Sequence, residues 1–287
     1  MYIYKMLNFF PFLFVILWSS AFVSGQIIVQ SATPFASLSF RFFIVSFGFL
    51  IFAYAYKEKI FVKSSLILQS SVTGIFFHGF YLGGVFFSYS VGLSATLSAL
   101  IVCLQPVLTN ILSGPILKEK VTIRQWIGIL LGLIGTILVI GLDIGKTIPI
   151  LGIISSIVAL IGVTTATIWQ KKFTNELSLT INNFYQAIAA AVFLYIVSIL
   201  FEISYINFTT SFILSMSWQI VMVSFGAFTI FMYLIKIGSA SKTSNLFFLV
   251  PATTAIIAWM VLGEELLRND IIGLIIAAIG VYIATRK

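Results

Sequence analysis

Charge is the scarcest commodity in this 287-residue chain, in which Asp, Glu, Lys and Arg together make up only 8% of residues. Soluble domains carry about a quarter. With 60% apolar residues and no polar stretch longer than roughly a dozen residues, a soluble domain is excluded. Acid is the rarer sign, 8 residues against 16 basic ones. Glu58, Glu119, Asp143, Glu176, Glu202, Glu264, Glu265 and Asp270 all stand in breaks between apolar runs or at their ends. A proton-driven antiporter normally trades protons at an intramembrane carboxylate, so this lack points to a facilitator, or to an exporter whose coupling, if any, uses histidine. A single cysteine, Cys103, excludes an intramolecular disulfide, and its apolar setting makes it a small packing residue. A single histidine, with no Ser/Asp or second-His partner at equal depth, gives no constellation for a membrane-embedded protease or acyltransferase. No catalytic residue, metal or cofactor is therefore expected. The absence of GxxxxGK[ST] excludes ATP as the direct energy source.

What the chain does have is long apolar runs. Ten can be placed near 8–28, 35–56, 66–89, 94–115, 126–142, 150–169, 180–201, 217–236, 242–262 and 271–285, each about long enough to cross a bilayer as a helix. Their continuity excludes a barrel, whose strands would alternate over segments of about ten residues. The first run, with Lys5 before it and small residues at Ala21 to Gly25, has the look of a signal peptide. It is read as the first span, because nine more follow and the run continues past any cleavage site. The net charge of +8 does not imply nucleic acid, since the basic residues sit in short loops beside the spans. With a cytoplasmic N-terminus, thirteen Lys and Arg fall inside and two, Lys146 and Arg268, outside, while Arg41 is embedded. The expected product is a multi-pass protein of the cell (inner) membrane with both termini cytoplasmic.

The stretch from Ser94 to Gly141 returns between Ser239 and Thr285. Pro106 matches Pro251, Glu119 matches Glu264, Gly128 matches Gly273 and Gly135 matches Gly280, all at an offset of 145 residues. Because the Glu119 turn falls inside and the Glu264 turn outside, the two five-span halves are expected to be inverted copies. Inverted repeats characterise secondary transporters, where a midplane site lies between the halves and access alternates. Spans 1 to 3 and 6 to 8 share little beyond Gln26 beside Gln170 and Lys171, and Arg41 opposite Gln186.

Candidate pathway residues follow from polarity at depth. Pro106 and Pro251 each remove a backbone donor, and freed carbonyls at membrane depth must face protein or a watery cavity. His78, near the centre of span 3, is a functional candidate or a histidine satisfied by a neighbouring hydroxyl; Tyr81 shares its face. Arg41 either snorkels to the headgroups, or faces the cavity mouth to hold an anionic group such as a substrate carboxylate. Trp18, Ser19 and Ser20 in span 1, Gln105 in span 4, Trp169 in span 6, Asn182, Asn183 and Gln186 in span 7 and Asn245 in span 9 complete the set. Trp169 also suits an interfacial anchor. Gly128, Gly132 and Gly135, echoed by Gly273, Ala277 and Gly280, read as helix-packing faces, between the halves or in a homodimer.

These residues together resemble the EamA-type members of the drug/metabolite transporter superfamily. The resemblance rests on Leu17 to Phe22, Arg41, the run from Ser94 to Pro106, Glu119, Gly128 and Gly135, and their copies Pro251, Glu264, Gly273 and Gly280. It implies two repeats, 6–141 and 150–286, as ten helices in an inverted arrangement of five and five. It further implies a cavity formed by spans 1, 3, 4, 6, 8 and 9, and export of amino acids or similar metabolites. One departure is span 6, which reads Leu160-Ile161-Gly162-Val163-Thr164-Thr165 where a tryptophan and small residues would open the repeat. The partners expected are thus a small-molecule substrate and the lipid bilayer. An importer of the same fold is the nearest alternative, and a non-transporting scaffold the most distant.

Overall fold

In lipid every backbone N–H and C=O must be paired within its own segment, so continuous apolar runs fold as helices. The computed structural model describes residues 2–93, 98, 101–140, 149–173, 176–262 and 268–285. Helical runs among these are α1 (Tyr2–Val29), α2 (Pro34–Ala55), α3 (Ser64–Ser90), α4 (Gln105–Leu117), α5 (Ile123–Ile140), α6 (Ile150–Phe173), α7 (Leu179–Phe201), α8 (Thr210–Ile237), α9 (Ala240–Val261) and α10 (Arg268–Thr285). Seven of them, all but α4, α5 and α10, are long and apolar enough to cross a membrane. The only strand-like pairing among the described residues is an isolated bridge, Ala32 to Ile206, which ties the α1–α2 connection to the α7–α8 connection. Helix α8 begins at Thr210, earlier than the expected 217. The reason is the Thr209 hydroxyl, which accepts a hydrogen bond from Phe212 N (3.2 Å) and turns a polar break into a capped helix start.

Both prolines mark interruptions, as the missing donor requires. A turn at Cys103 and Leu104 precedes α4, whose first turn holds Pro106. Helix α9 tightens to a 3-10 stretch over Asn245–Leu249 just ahead of Pro251. Neighbours take up the carbonyls nearby. Ser19 Oγ donates to Val250 O (3.2 Å), and Cys103 Sγ lies 3.8 Å from Phe247 O, the carbonyl four residues before Pro251.

The halves meet through reciprocal contacts. A Cβ built on Gly128 would overlap the Gly280 carbonyl and lie 2.6 Å from Ala284 Cβ; one built on Gly135 would lie 2.5 Å from Gly273 O and 2.9 Å from Ala277 Cβ. Only glycine lets α5 and α10 cross this closely. The glycine faces expected to pack between halves or copies are thus spent on each other within one chain. Helices α2 and α7 run antiparallel and cap one another. Glu58, after α2, accepts a hydrogen bond from Ser178, the N-cap of α7. Glu202, after α7, accepts from Phe35 N (3.0 Å) and Ala36 N (3.2 Å) in the first turn of α2. Carboxylates at helix N-termini meet orphan N–H groups and the positive end of the dipole. Glu119 does the same for α9, accepting from Ala240 N (3.1 Å) and Ser241 N (3.3 Å). Its copy Glu264 lies outside the described residues.

Candidate functional site

Two helices depart from α-helical winding at corresponding places. Residues Ile75–Leu82 of α3 and Gln219–Phe228 of α8 are π-helical, with i to i+5 pairing. Such stretches are rare, and are found frequently at functional sites. Here they border an open cavity walled by α1, α2, α3 and α8, with about 490 Å³ of space between atoms, the open mouth included. Its polar edge is Arg41, His78, Tyr81, Tyr89, Gln219 and Ser224; its apolar wall includes Trp18, Phe22, Phe77, Val85, Phe86 and Phe228.

Arg41 is 3% exposed, so it does not snorkel. Among the described residues its only hydrogen bond runs from Nε to Ser224 Oγ (3.0 Å), and its guanidinium lies over the Phe42 ring at 5.1 Å. His78 is clamped between Phe42 and Phe228, with ring centroids 4.2 and 4.5 Å away. Its Nδ1 is buried and has no hydrogen-bond partner among the described residues; the same holds for Tyr89 OH and Gln219 Oε1. Gln219 is held through its other end, Nε2 donating to Ala21 O (2.8 Å) and Ser24 Oγ (2.9 Å). The Tyr81 ring lies parallel to that of Trp18 at 6.4 Å. Below them the aromatic rings close ranks. Phe14 stacks on Phe231 at 5.4 Å, Trp18 meets Phe247 at 5.5 Å, and Phe77 meets Phe231 at 5.5 Å, all buried. The cavity therefore has an aromatic floor and a mainly apolar wall, with Arg41 at its edge and unpaired polar atoms buried just behind its surface. It can bind and orient a small molecule, and no carboxylate among the described residues lines it.

Of the residues singled out in the sequence, Trp18, Arg41, His78 and Tyr81 come together on this cavity. Ser20 and Ser19 stand behind the wall. Ser20 accepts from Trp218 Nε1 (2.8 Å), and Ser19 carries the Val250 carbonyl. Gln105, Pro106, Asn245 and Pro251 do not line the cavity. Gln105 Nε2 donates to Thr109 (3.0 Å) and Thr167 (3.4 Å), joining α4 to α6. Asn110 Nδ2 donates to Pro106 O (2.7 Å) and Asn245 Oδ1 (3.1 Å), joining α4 to α9. Trp169 packs against Phe173 at 4.4 Å, away from the site. Helices α4, α6 and α9, implied as walls by the resemblance, thus give this cavity no lining residue: Phe247 of α9 packs into the aromatic floor, and the Gln105 and Asn110 side-chain N–H groups of α4 donate to Thr109 and Thr167 and to Pro106 and Asn245. Asn182 and Gln186 likewise donate to Gln170 Oε1 (3.3 and 3.0 Å), within a buried amide network. Three polar residues of the lining were not singled out: Tyr89, Gln219 and Ser224. Gln219 carried a signal, being the lone amide in the apolar run of span 8.

Comparison with known proteins agrees with this architecture. The model of the EamA-like transporter family matches the chain twice, over residues 6–141 and 150–286. An uncharacterized transporter of Bacillus subtilis, YoaV, is 20% identical over 278 residues, covering 94% of this chain and 93% of its own. A second from the same organism, YyaM, is 28% identical over 285 residues, covering 95% and 91%. A solved crystal structure superposes with a TM-score of 0.82 at 17% identity, covering 98% of this chain and 96% of that one. At that identity the likeness speaks for the fold.

Proposed function

The chain belongs to the EamA-like transporter family, within the drug/metabolite transporter superfamily, and on that premise we propose that it exports amino acids or related small metabolites across the plasma (inner) membrane by alternating access. The observation that carries this reading is the aromatic-floored cavity bordered by two π-helical segments, one from each half. A transporter needs a small-molecule site closed on one side at a time, built where its two halves meet.

The inverted arrangement of ten spans is part of the proposal, and reciprocity supports it. If Gly128 corresponds to Gly273 and Gly280 to Gly135, the contact of Gly128 with Gly280 becomes the contact of Gly273 with Gly135, which is the one observed. Glu58 at the start of α7 and Glu202 at the start of α2 obey the same exchange. Antiparallel neighbours exchanged by a two-fold require an axis perpendicular to both, and for membrane-crossing helices that axis lies in the membrane plane. With the N-terminus cytoplasmic, the cavity then occupies the outer halves of α1, α3 and α8, and the aromatic floor closes the cytoplasmic side.

The test is flux. Cells overproducing the protein should release more metabolite and resist toxic amino-acid analogues, whereas an importer would sensitise them and a scaffold would change neither. Replacing Trp18, His78 or Tyr81 should impair flux while folded protein persists; wild-type flux in all three variants would sink the assignment of the cavity.

A further inference from the structure

We infer that the cavity is an anion site: its ligand presents a carboxylate to the Arg41 guanidinium and lays an apolar body on the aromatic wall, and an amino group on that ligand is dispensable. This rests on the transporter reading above and narrows its substrate class. A guanidinium carries five N–H donors in a fixed fork, and Arg41 uses one of them, on Ser224. The charge is buried, and no Asp or Glu among the described residues lines the cavity to answer it. A buried charge persists only where a counter-charge or dense hydrogen bonding compensates it. Ser224 holds Nε in place, so the remaining donors are pre-oriented for the two oxygens of a carboxylate. The Tyr89 hydroxyl and His78 Nδ1, unpaired and buried just behind the same wall, supply further donors to a ligand oxygen when these side chains turn toward it. Nothing in the wall is equally fit for an ammonium. Its acceptors are the neutral Gln219 Oε1 and hydroxyls, and an ammonium would stand in the field of Arg41. Trp18, Phe22 and Phe86 supply flat apolar surface for the rest of the molecule.

The experiment uses purified protein in lipid nanodiscs and proteoliposomes with four probes of one shape: 3-phenylpropanoate, L-phenylalanine, L-phenylalaninamide and 2-phenylethylamine. Binding is read by tryptophan fluorescence and thermal shift, and uptake by counterflow. The two acids should bind and exchange, while the amide and the amine bind at least about tenfold more weakly. Arg41→Gln should weaken the acids by about 10- to 100-fold, the range for losing a charge-assisted hydrogen bond, and Arg41→Lys should restore part of that loss. Ser224→Ala, which frees Nε without removing charge, should weaken them by several fold. Equal binding of acids and amide to the wild type, undiminished acid binding by Arg41→Gln, or no binding of either acid overturns the inference. If Arg41→Gln does not fold, the wild-type comparison of acid with amide decides alone. Exchange of the amine or amide without the acids refutes the carboxylate site and leaves the transporter intact; metabolite release from cells that is unaltered by overproduction refutes the transporter itself.

Discussion

The crossing of α5 and α10 offers the sharpest perturbation, because it places backbone against backbone. A methyl added at Gly128 would overlap the Gly280 carbonyl and meet Ala284 Cβ at 2.6 Å and Ala284 N at 2.8 Å. A peptide carbonyl cannot rotate away as a side chain tip does, so α10 must back off by close to an ångström. Overpacking of this kind typically costs about 1–3 kcal/mol, and alanine's advantage over glycine in a helix returns about 1 kcal/mol, leaving a net loss of up to about 2 kcal/mol. Gly135→Ala meets the same obstacle at Gly273 O (2.5 Å) and should lose a similar amount. Since one separation of the helices relieves both clashes, the double variant should lose less than the sum of the singles. Gly114→Ala is the control, because the nearest atom to its Cβ is 3.9 Å away. It should be neutral or slightly stabilising. Melting temperatures of the four purified variants, followed by size-exclusion recovery after heating, measure this. Gly128→Ala melting at or above the wild type, or strictly additive losses, would refute the claim that this face is a backbone contact shared by the two halves.

Four other outcomes follow from the same geometry. Glu202→Ala and Glu119→Ala, each removing two N–H contacts at a helix start, should lower stability by about 1 kcal/mol, read as a drop in melting temperature in detergent. For topology, single cysteines at Lys120 and Ile203, both exposed, should be labelled by an impermeant maleimide only from inside and only from outside, respectively; the native Cys103 is buried and should stay silent. Labelling of both from one side would refute the inverted arrangement. Collapsing the proton gradient in proteoliposomes should leave the transport rate unchanged, since no carboxylate among the described residues lines the cavity; abolished accumulation would show coupling and redirect attention to His78. Phe247→Ala removes a buried ring shared by Phe14, Trp18 and Phe231, so it should cost about 3–5 kcal/mol if the gap stays open. Where folded protein survives, solute leak in the absence of exchange should rise.

The helices were legible because lipid leaves an apolar run few alternatives, and the proline breaks because a missing N–H has one consequence. Arg41, His78, Tyr81 and Trp18 were legible as a group only as polar or amphipathic residues at depth; nothing in their spacing said that they share one wall. The π-helical winding within α3 and α8 was not legible, since no residue pattern marks it. The prolines show which of two outcomes applies near a break. A kink frees a carbonyl that must face protein or a watery cavity, and here Ser19, Cys103 and Asn110 hold carbonyls around the two breaks within protein. In a tightly packed bundle a hydroxyl or thiol from a neighbour satisfies the same demand as water.

The duplication also shows how unequally the two halves contribute to this cavity. The position opposite Arg41 in the second half, 145 residues on, is Gln186, and it is absorbed in the amide network of Gln170 and Asn182. The positions opposite His78 and Tyr81 at the same offset are Val223 and Gly226, which offer no polar side chain. The shared features, glycine crossings, glutamate caps, broken helices and π segments, make the two halves fit one another. The features not shared are the ones that face the cavity. A perfectly symmetric pair would build two equal half-sites and hold no preference between ends of a ligand. Here the charge, the imidazole and the stacked Trp18–Tyr81 pair all come from the first half, so the second half contributes mainly the groups that orient them, Ser224 on Arg41 and Phe228 on His78. Substrate preference should therefore follow the first half when halves are exchanged between relatives, and stability should follow the match at the α5–α10 and α2–α7 contacts. A chimera whose preference follows the second half would place the discriminating contacts outside this cavity.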